Sequence, residues 1–132
     1  MRCVLDASAA IEVAMARGKA ATLVQPLRDA DFVLAPDLLV PEVLNAVWKY
    51  HQFNNLSLPD CDRVVELTLE LVDEFVPSSK LYRDAFLLAR TAHRPVYDMF
   101  YLALARHEDA ALVTMDGTLK KEAEKQGVQV IG

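Results

Sequence analysis

The strongest constraint on this chain is an alternation. Short apolar runs are each followed by a longer segment with helical spacing. Cys3-Val4-Leu5, Phe32-Val33-Leu34-Ala35, Ala110-Ala111-Leu112-Val113-Thr114 and Val128 to Ile131 read as strands, and Glu74-Phe75-Val76-Pro77 as a further, less apolar one. Runs this short, with few polar residues on alternate positions, suit strands buried on both faces, as in a parallel sheet. Between them the spacing predicts a first helix capped by Ser8 and ended by Gly18. A second, over Ala20 to Ala30, is kinked or broken at Pro26. A long helix follows from about Leu39 to Phe53, with Pro41 tolerated in its first turn and Asn54-Asn55 at its end. Further helices start at Pro59, at Lys80 behind a Ser78-Ser79 cap, at Tyr97 and at Thr118. The pattern is that of βαβ units, hence an α/β fold with a mostly parallel sheet covered by helices on both faces.

Composition narrows the class. With 132 residues, 53% of them hydrophobic, residues 1–132 are expected to form a single domain that folds without disulfides or a structural zinc. Cys3 and Cys61 are isolated and read as small buried hydrophobes. No apolar run approaches a membrane span, and Asp6 interrupts the N-terminal run too early for a signal peptide. The expectation is a soluble, cytoplasmic domain with no membrane partner. A net charge of −5 argues against a protein that coats DNA, but not against a nucleic-acid enzyme whose positive charge is supplied by bound cations.

In a parallel sheet all strand ends lie on one edge, and ligands bind outside the carboxyl ends. Asp6 directly follows the first strand, Asp37 the second, and Asp116 the fourth; Glu42 opens the long helix and Asp98 the Tyr97 to His107 helix. Asp6, Glu42, Asp98 and Asp116 can therefore meet in one crevice although they are far apart in sequence. Asp37 beside Pro36 reads more simply as a turn residue. Clustered carboxylates repel and raise one another's pKa, so a fold that gathers them needs something to neutralise them. Oxygen donors without His or Cys suit Mg²⁺ or Mn²⁺, and such a site fits metal-assisted attack on a phosphodiester.

Four segments carry a resemblance. Leu5-Asp6-Ala7-Ser8, Pro41-Glu42-Val43-Leu44-Asn45, Tyr97-Asp98-Met99-Phe100-Tyr101-Leu102-Ala103-Leu104-Ala105 and Leu112-Val113-Thr114-Met115-Asp116 resemble, in order and spacing, the signature segments of PIN-domain nucleases. The chain is most similar to the VapC-type toxins of toxin–antitoxin pairs. The resemblance implies a three-layer α/β/α sandwich and a Mg²⁺- or Mn²⁺-dependent endoribonuclease. It implies that Asp6, Glu42, Asp98 and Asp116 are the catalytic and metal-binding quartet, Asp6 and Asp98 foremost. It further implies that Ser8, Asn45 and Thr114 orient those acids, that RNA is the substrate, and that a cognate antitoxin and a homodimer are the partners. Asn45 lies three residues after Glu42, on the same helix face by spacing alone. Pro41 directly before Glu42 is a mild departure from the pattern.

Other residues have plainer readings. Trp48, Tyr50, Phe53, Phe100 and Tyr101 suit either core or interface, and Lys49, Lys80, Arg94, Lys120 and Lys121 either solubility or RNA phosphates. Two alternatives stand beside the nuclease. A receiver-type signalling domain would need paired acids at the first strand and an acceptor Asp after the third, where Pro77-Ser78 stands. A PIN-like fold without catalysis would act only as a binding module.

Overall fold

The computed structural model describes residues Met1–Gly132. Its elements are β1 (Arg2–Leu5), α1 (Ala7–Ala14), α2 (Ala20–Asp29), β2 (Phe32–Pro36), α3 (Leu39–Asn54), α4 (Leu58–Glu70) and β3 (Glu74–Val76). A 3-10 turn at Ser78–Lys80 leads to α5 (Tyr82–Ala92), α6 (Val96–His107), β4 (Ala111–Val113), α7 (Gly117–Lys125) and β5 (Val130–Ile131). All five strands pair in parallel, in the order β3-β2-β1-β4-β5. The expected α/β/α sandwich is what forms. No helix is long and apolar enough to cross a membrane.

Strand order follows from burial. Cys3, Val4 and Leu5 are all fully buried, which only a central strand covered on both faces permits, and β1 is central. Its neighbour β4 is equally apolar, whereas β3, with the pattern exposed, half-buried, half-buried, takes an edge. From β1 the chain winds outward through β2 and β3, then crosses back to lay β4 on the other side of β1. The ends of β1 and β4 thus flank the topological switch point, where an open α/β sheet leaves a crevice. Helix α6 packs against β1, β2 and β4, and buries Met99 and the run Tyr101 to Ala105. That helix is apolar nearly all round, so its one acid, Asp98, sits in the first turn, facing the edge where the strands end.

Local chemistry corrects several expected boundaries. Asp6, not Ser8, caps α1: its Oδ1 accepts from the Ala9 N–H at 2.9 Å, and Ser8 lies inside the helix. An extended residue leaving a strand supplies the cap geometry, and Asp6 is the residue at that junction. The helix ends at Ala14, with Met15 as C-cap, before Gly18 is reached. Helix α2 runs unbroken through Pro26. The Ser78-Ser79 pair forms the 3-10 turn instead of capping α5, because Ser78 is held elsewhere: both its N–H and its hydroxyl donate to Asp37 Oδ1. Asp37 thereby ties the end of β2 to the end of β3, which is the turn role expected of it. The true side-chain cap of α4 is Ser57, ahead of Pro59.

Candidate active site

Each of the four acids is placed by a different element. Asp6 follows β1 and is 5% exposed; Glu42 lies in the first turn of α3; Asp98 lies in the first turn of α6; Asp116 caps α7 just beyond β4. Asp6 is the most firmly held. Besides Ala9 N–H, its carboxylate accepts from the Ser8 hydroxyl at 2.7 Å and from the Thr114 hydroxyl. Ser8 Oγ also accepts from Met115 N–H at 3.0 Å, and Thr114 Oγ1 from Asp116 N–H at 3.0 Å. Ser8 and Thr114 therefore stitch the β1 and β4 exits together around Asp6. Asp116 Oδ1 accepts from Thr118 N–H at 2.8 Å and Leu119 N–H at 3.1 Å, which fixes one carboxylate oxygen as a helix cap.

The acids feel one another. Burial is the largest cause raising the pKa of Asp6, Glu42 and Asp98, and Asp6 is pushed up to about 6. The charge of Asp98 raises both Asp6 and Glu42, and the charge of Asp116 raises Asp98. Asp98 is thus the common neighbour of the other three. Arg94, four residues before it, is the cation that offsets its charge, and Arg94 Nε is buried without a hydrogen-bond partner.

Tyr101 was read from sequence only as a core or interface aromatic, and it belongs to this site. Its ring is 1% exposed, and its hydroxyl donates to Glu42 Oε1 at 2.5 Å, joining α6 to α3. Burial and the charges of Glu42, Asp6 and Asp98 push its pKa far up, so it acts as a neutral donor. The available signal was its spacing: Tyr101 is three residues after Asp98, on the same helix face, and a buried tyrosine must place its hydroxyl somewhere polar. Asn45, one turn beyond Glu42, is exposed and borders the same crevice beside Ser8. Tyr101→Phe leaves Glu42 without its donor. The expected result is a 10–100-fold weaker response to Mn²⁺ in a thermal-shift titration, the usual cost of losing a group that orients a ligand. A response equal to wild type would make the hydroxyl a packing detail.

No three Asp, Glu, His or Cys side chains stand close enough together to enclose one metal ion. The donor set still fits Mg²⁺ or Mn²⁺ by its chemistry. Mg²⁺ keeps several waters and takes only one or two carboxylates directly, so a closed protein cage is not what it requires. Asp6, Glu42 and Asp98 are each raised first by burial and then by a neighbouring carboxylate, and a cation among them would relieve both.

A parallel α/β sheet with acids gathered at its switch point defines a fold with an acid-lined crevice at the strand ends. The PIN domain family matches residues 3–125, and the chain belongs to that family. Ribonuclease VapC3 of Pyrobaculum aerophilum is 27% identical over 124 residues, covering 92% of this chain and 95% of that protein. Among solved structures, PAE2754 from Pyrobaculum aerophilum superposes with a TM-score of 0.71 at 20% identity, covering 98% of this chain and 83% of that one. VapBC-1 from nontypeable Haemophilus influenzae gives 0.68 at 18%, covering 98% of this chain and 96% of that one.

Proposed function

We propose that this chain is a divalent-metal-dependent endoribonuclease and the toxin of a toxin–antitoxin pair, with residues 1–132 as one nuclease domain. The observation that carries the reading is the position of Asp98 as electrostatic neighbour of Asp6, Glu42 and Asp116 at the switch point. Membership of the PIN family and the name of its VapC3 relative support RNA as the substrate. The likeness to VapBC-1 supports an antitoxin partner, and the homodimer rests on the resemblance to VapC-type toxins.

In this reading Asp6 and Asp98 hold Mg²⁺ or Mn²⁺, with Glu42 and Asp116 completing the site directly or through water. The ion supplies a lowered pKa for an attacking water and offsets charge on the phosphate oxygens. The protein does the rest. Ser8, Thr114 and the Ala9 N–H fix the Asp6 carboxylate, and Tyr101 fixes Glu42. Asp98 makes no hydrogen bond and keeps both oxygens free, while Asp116 keeps one. Preorganised charge of this kind costs nothing to rearrange during reaction.

The test is cleavage of an end-labelled, random-sequence single-stranded RNA pool by antitoxin-free protein, in Mn²⁺ or Mg²⁺ and in EDTA. Cutting in either metal and none in EDTA is expected. No cutting in any condition, by protein whose melting point is unmoved by Mn²⁺, would favour a binding module instead.

A further inference from the structure

A groove of about 370 Å³ opens between α1 and α3. It begins at Ser8 and Glu42, continues past Asn45, and reaches Lys49 and Tyr50, about two turns beyond Glu42 on α3. Two features of its far end serve no purpose in the acid site. Lys49 is exposed and makes no ion pair, although the chain carries a net charge of −5. The Arg17 guanidinium lies over the Tyr50 ring, 5.1 Å from its centroid, and donates to the Tyr50 hydroxyl. Arg17 forms one ion pair, a long one, with Glu12 at 3.9 Å.

A planar ring paired with a guanidinium is a surface on which nucleobases stack, and a free lysine beside it is suited to a phosphate. We infer that this groove holds the RNA nucleotide adjoining the scissile phosphate, its base on the Tyr50–Arg17 pair and its phosphate against Lys49. The inference rests on the ribonuclease reading of the acid crevice, with which the groove is continuous through Ser8 and Glu42. The charge pattern supports the occupant. The acid crevice repels a polyanion, so a strand laid across it needs cations to either side, and Lys49 and Arg17 stand on this one. Asn45, between the two ends, offers an amide donor and acceptor to a base edge.

The experiment compares wild type, Lys49→Ala, Tyr50→Ala and Tyr50→Phe on the random-sequence RNA pool in Mn²⁺, with a thermal melt of each variant. Lys49→Ala and Tyr50→Ala are expected to raise KM roughly tenfold with kcat within about twofold of wild type. Tyr50→Phe keeps the ring but loses the bond from Arg17, and its KM is expected to fall between those of wild type and Tyr50→Ala. In a fluorescence-anisotropy titration on an Asp98→Asn background, Lys49→Ala is expected to reduce the slope of log affinity against log salt by about 1. If wild type cuts RNA while both alanine variants keep its KM and salt slope, the groove assignment fails and the nuclease stands. If those values hold while the variants lose capture of a partner protein, the groove belongs to that protein and the inference is overturned. If wild type does not cut the pool and its melting point is unmoved by Mn²⁺, the nuclease reading fails and the groove assignment falls with it.

Discussion

Asp98→Asn is expected to reduce metal-supported RNA cleavage about 1,000-fold or more while leaving the fold intact. The charge of Asp98 acts on Asp6 and Glu42 and that of Asp116 acts on Asp98, so its loss removes a proposed ligand and the centre of the cluster together. It is also the acid whose replacement breaks no side-chain hydrogen bond. The carboxylate is half-buried, accepts no hydrogen bond and caps no helix, whereas Asp6 accepts three bonds and Asp116 caps α7. The amide is isosteric with the carboxylate. A melting temperature at or above wild type in EDTA, with cleavage gone, would separate a chemical role from a structural one. Wild-type cleavage rates in this variant would remove Asp98 from the site.

The second large effect is on stability and its dependence on pH. Asp6 has an unfolded value near 3.8 and a folded value of about 6, chiefly because burial disfavours its charge. The folded state therefore holds the proton more tightly than the unfolded state. The stability this confers is fully present below pH 3.8 and is lost progressively as pH rises to about 6. The loss from Asp6 alone is about 3 kcal/mol, and the raised Glu42 and Asp98 add to it in the same direction. In EDTA, Asp6→Asn is expected to melt roughly 5–10 °C above wild type at pH 7.5 and to show a flatter pH profile. Asparagine keeps an Oδ1 for Ala9 N–H and Ser8, and its Nδ2 can donate to Thr114 Oγ1. Thermal melts at pH 4, 5, 6 and 7.5 check this. A variant no more stable than wild type at pH 7.5, with the same slope, would mean that Asp6 is not strained by its burial.

Much of the fold was legible because each strand in the centre is buried on both faces and so declares itself by an unbroken apolar run. Cys3-Val4-Leu5 and Ala111-Leu112-Val113 are of this kind, and the acids that follow them stand out against them. The order β3-β2-β1-β4-β5 was not legible, because no local pattern states which parallel strands are neighbours. Caps were misread where one residue serves two purposes. Asp6 follows a strand, caps a helix and faces the crevice, so helix spacing alone points to Ser8 as the cap. Ser78 looked like a cap, yet tertiary contact with Asp37 takes up its hydrogen bonds. Tyr101 was hidden by its own burial: an aromatic on an apolar helix reads as core, and only the partner of its hydroxyl reveals the link to Glu42.

That the strand-end acids make one metal site is tested most directly by anomalous diffraction from crystals of the chain grown or soaked with Mn²⁺. The expected result is an anomalous peak bordered by the carboxylates of Asp6 and Asp98, with Glu42 and Asp116 facing it directly or through water, and no such peak in Asp98→Asn crystals. A Mn²⁺ peak elsewhere on the molecule, or an empty crevice at saturating Mn²⁺, would contradict it.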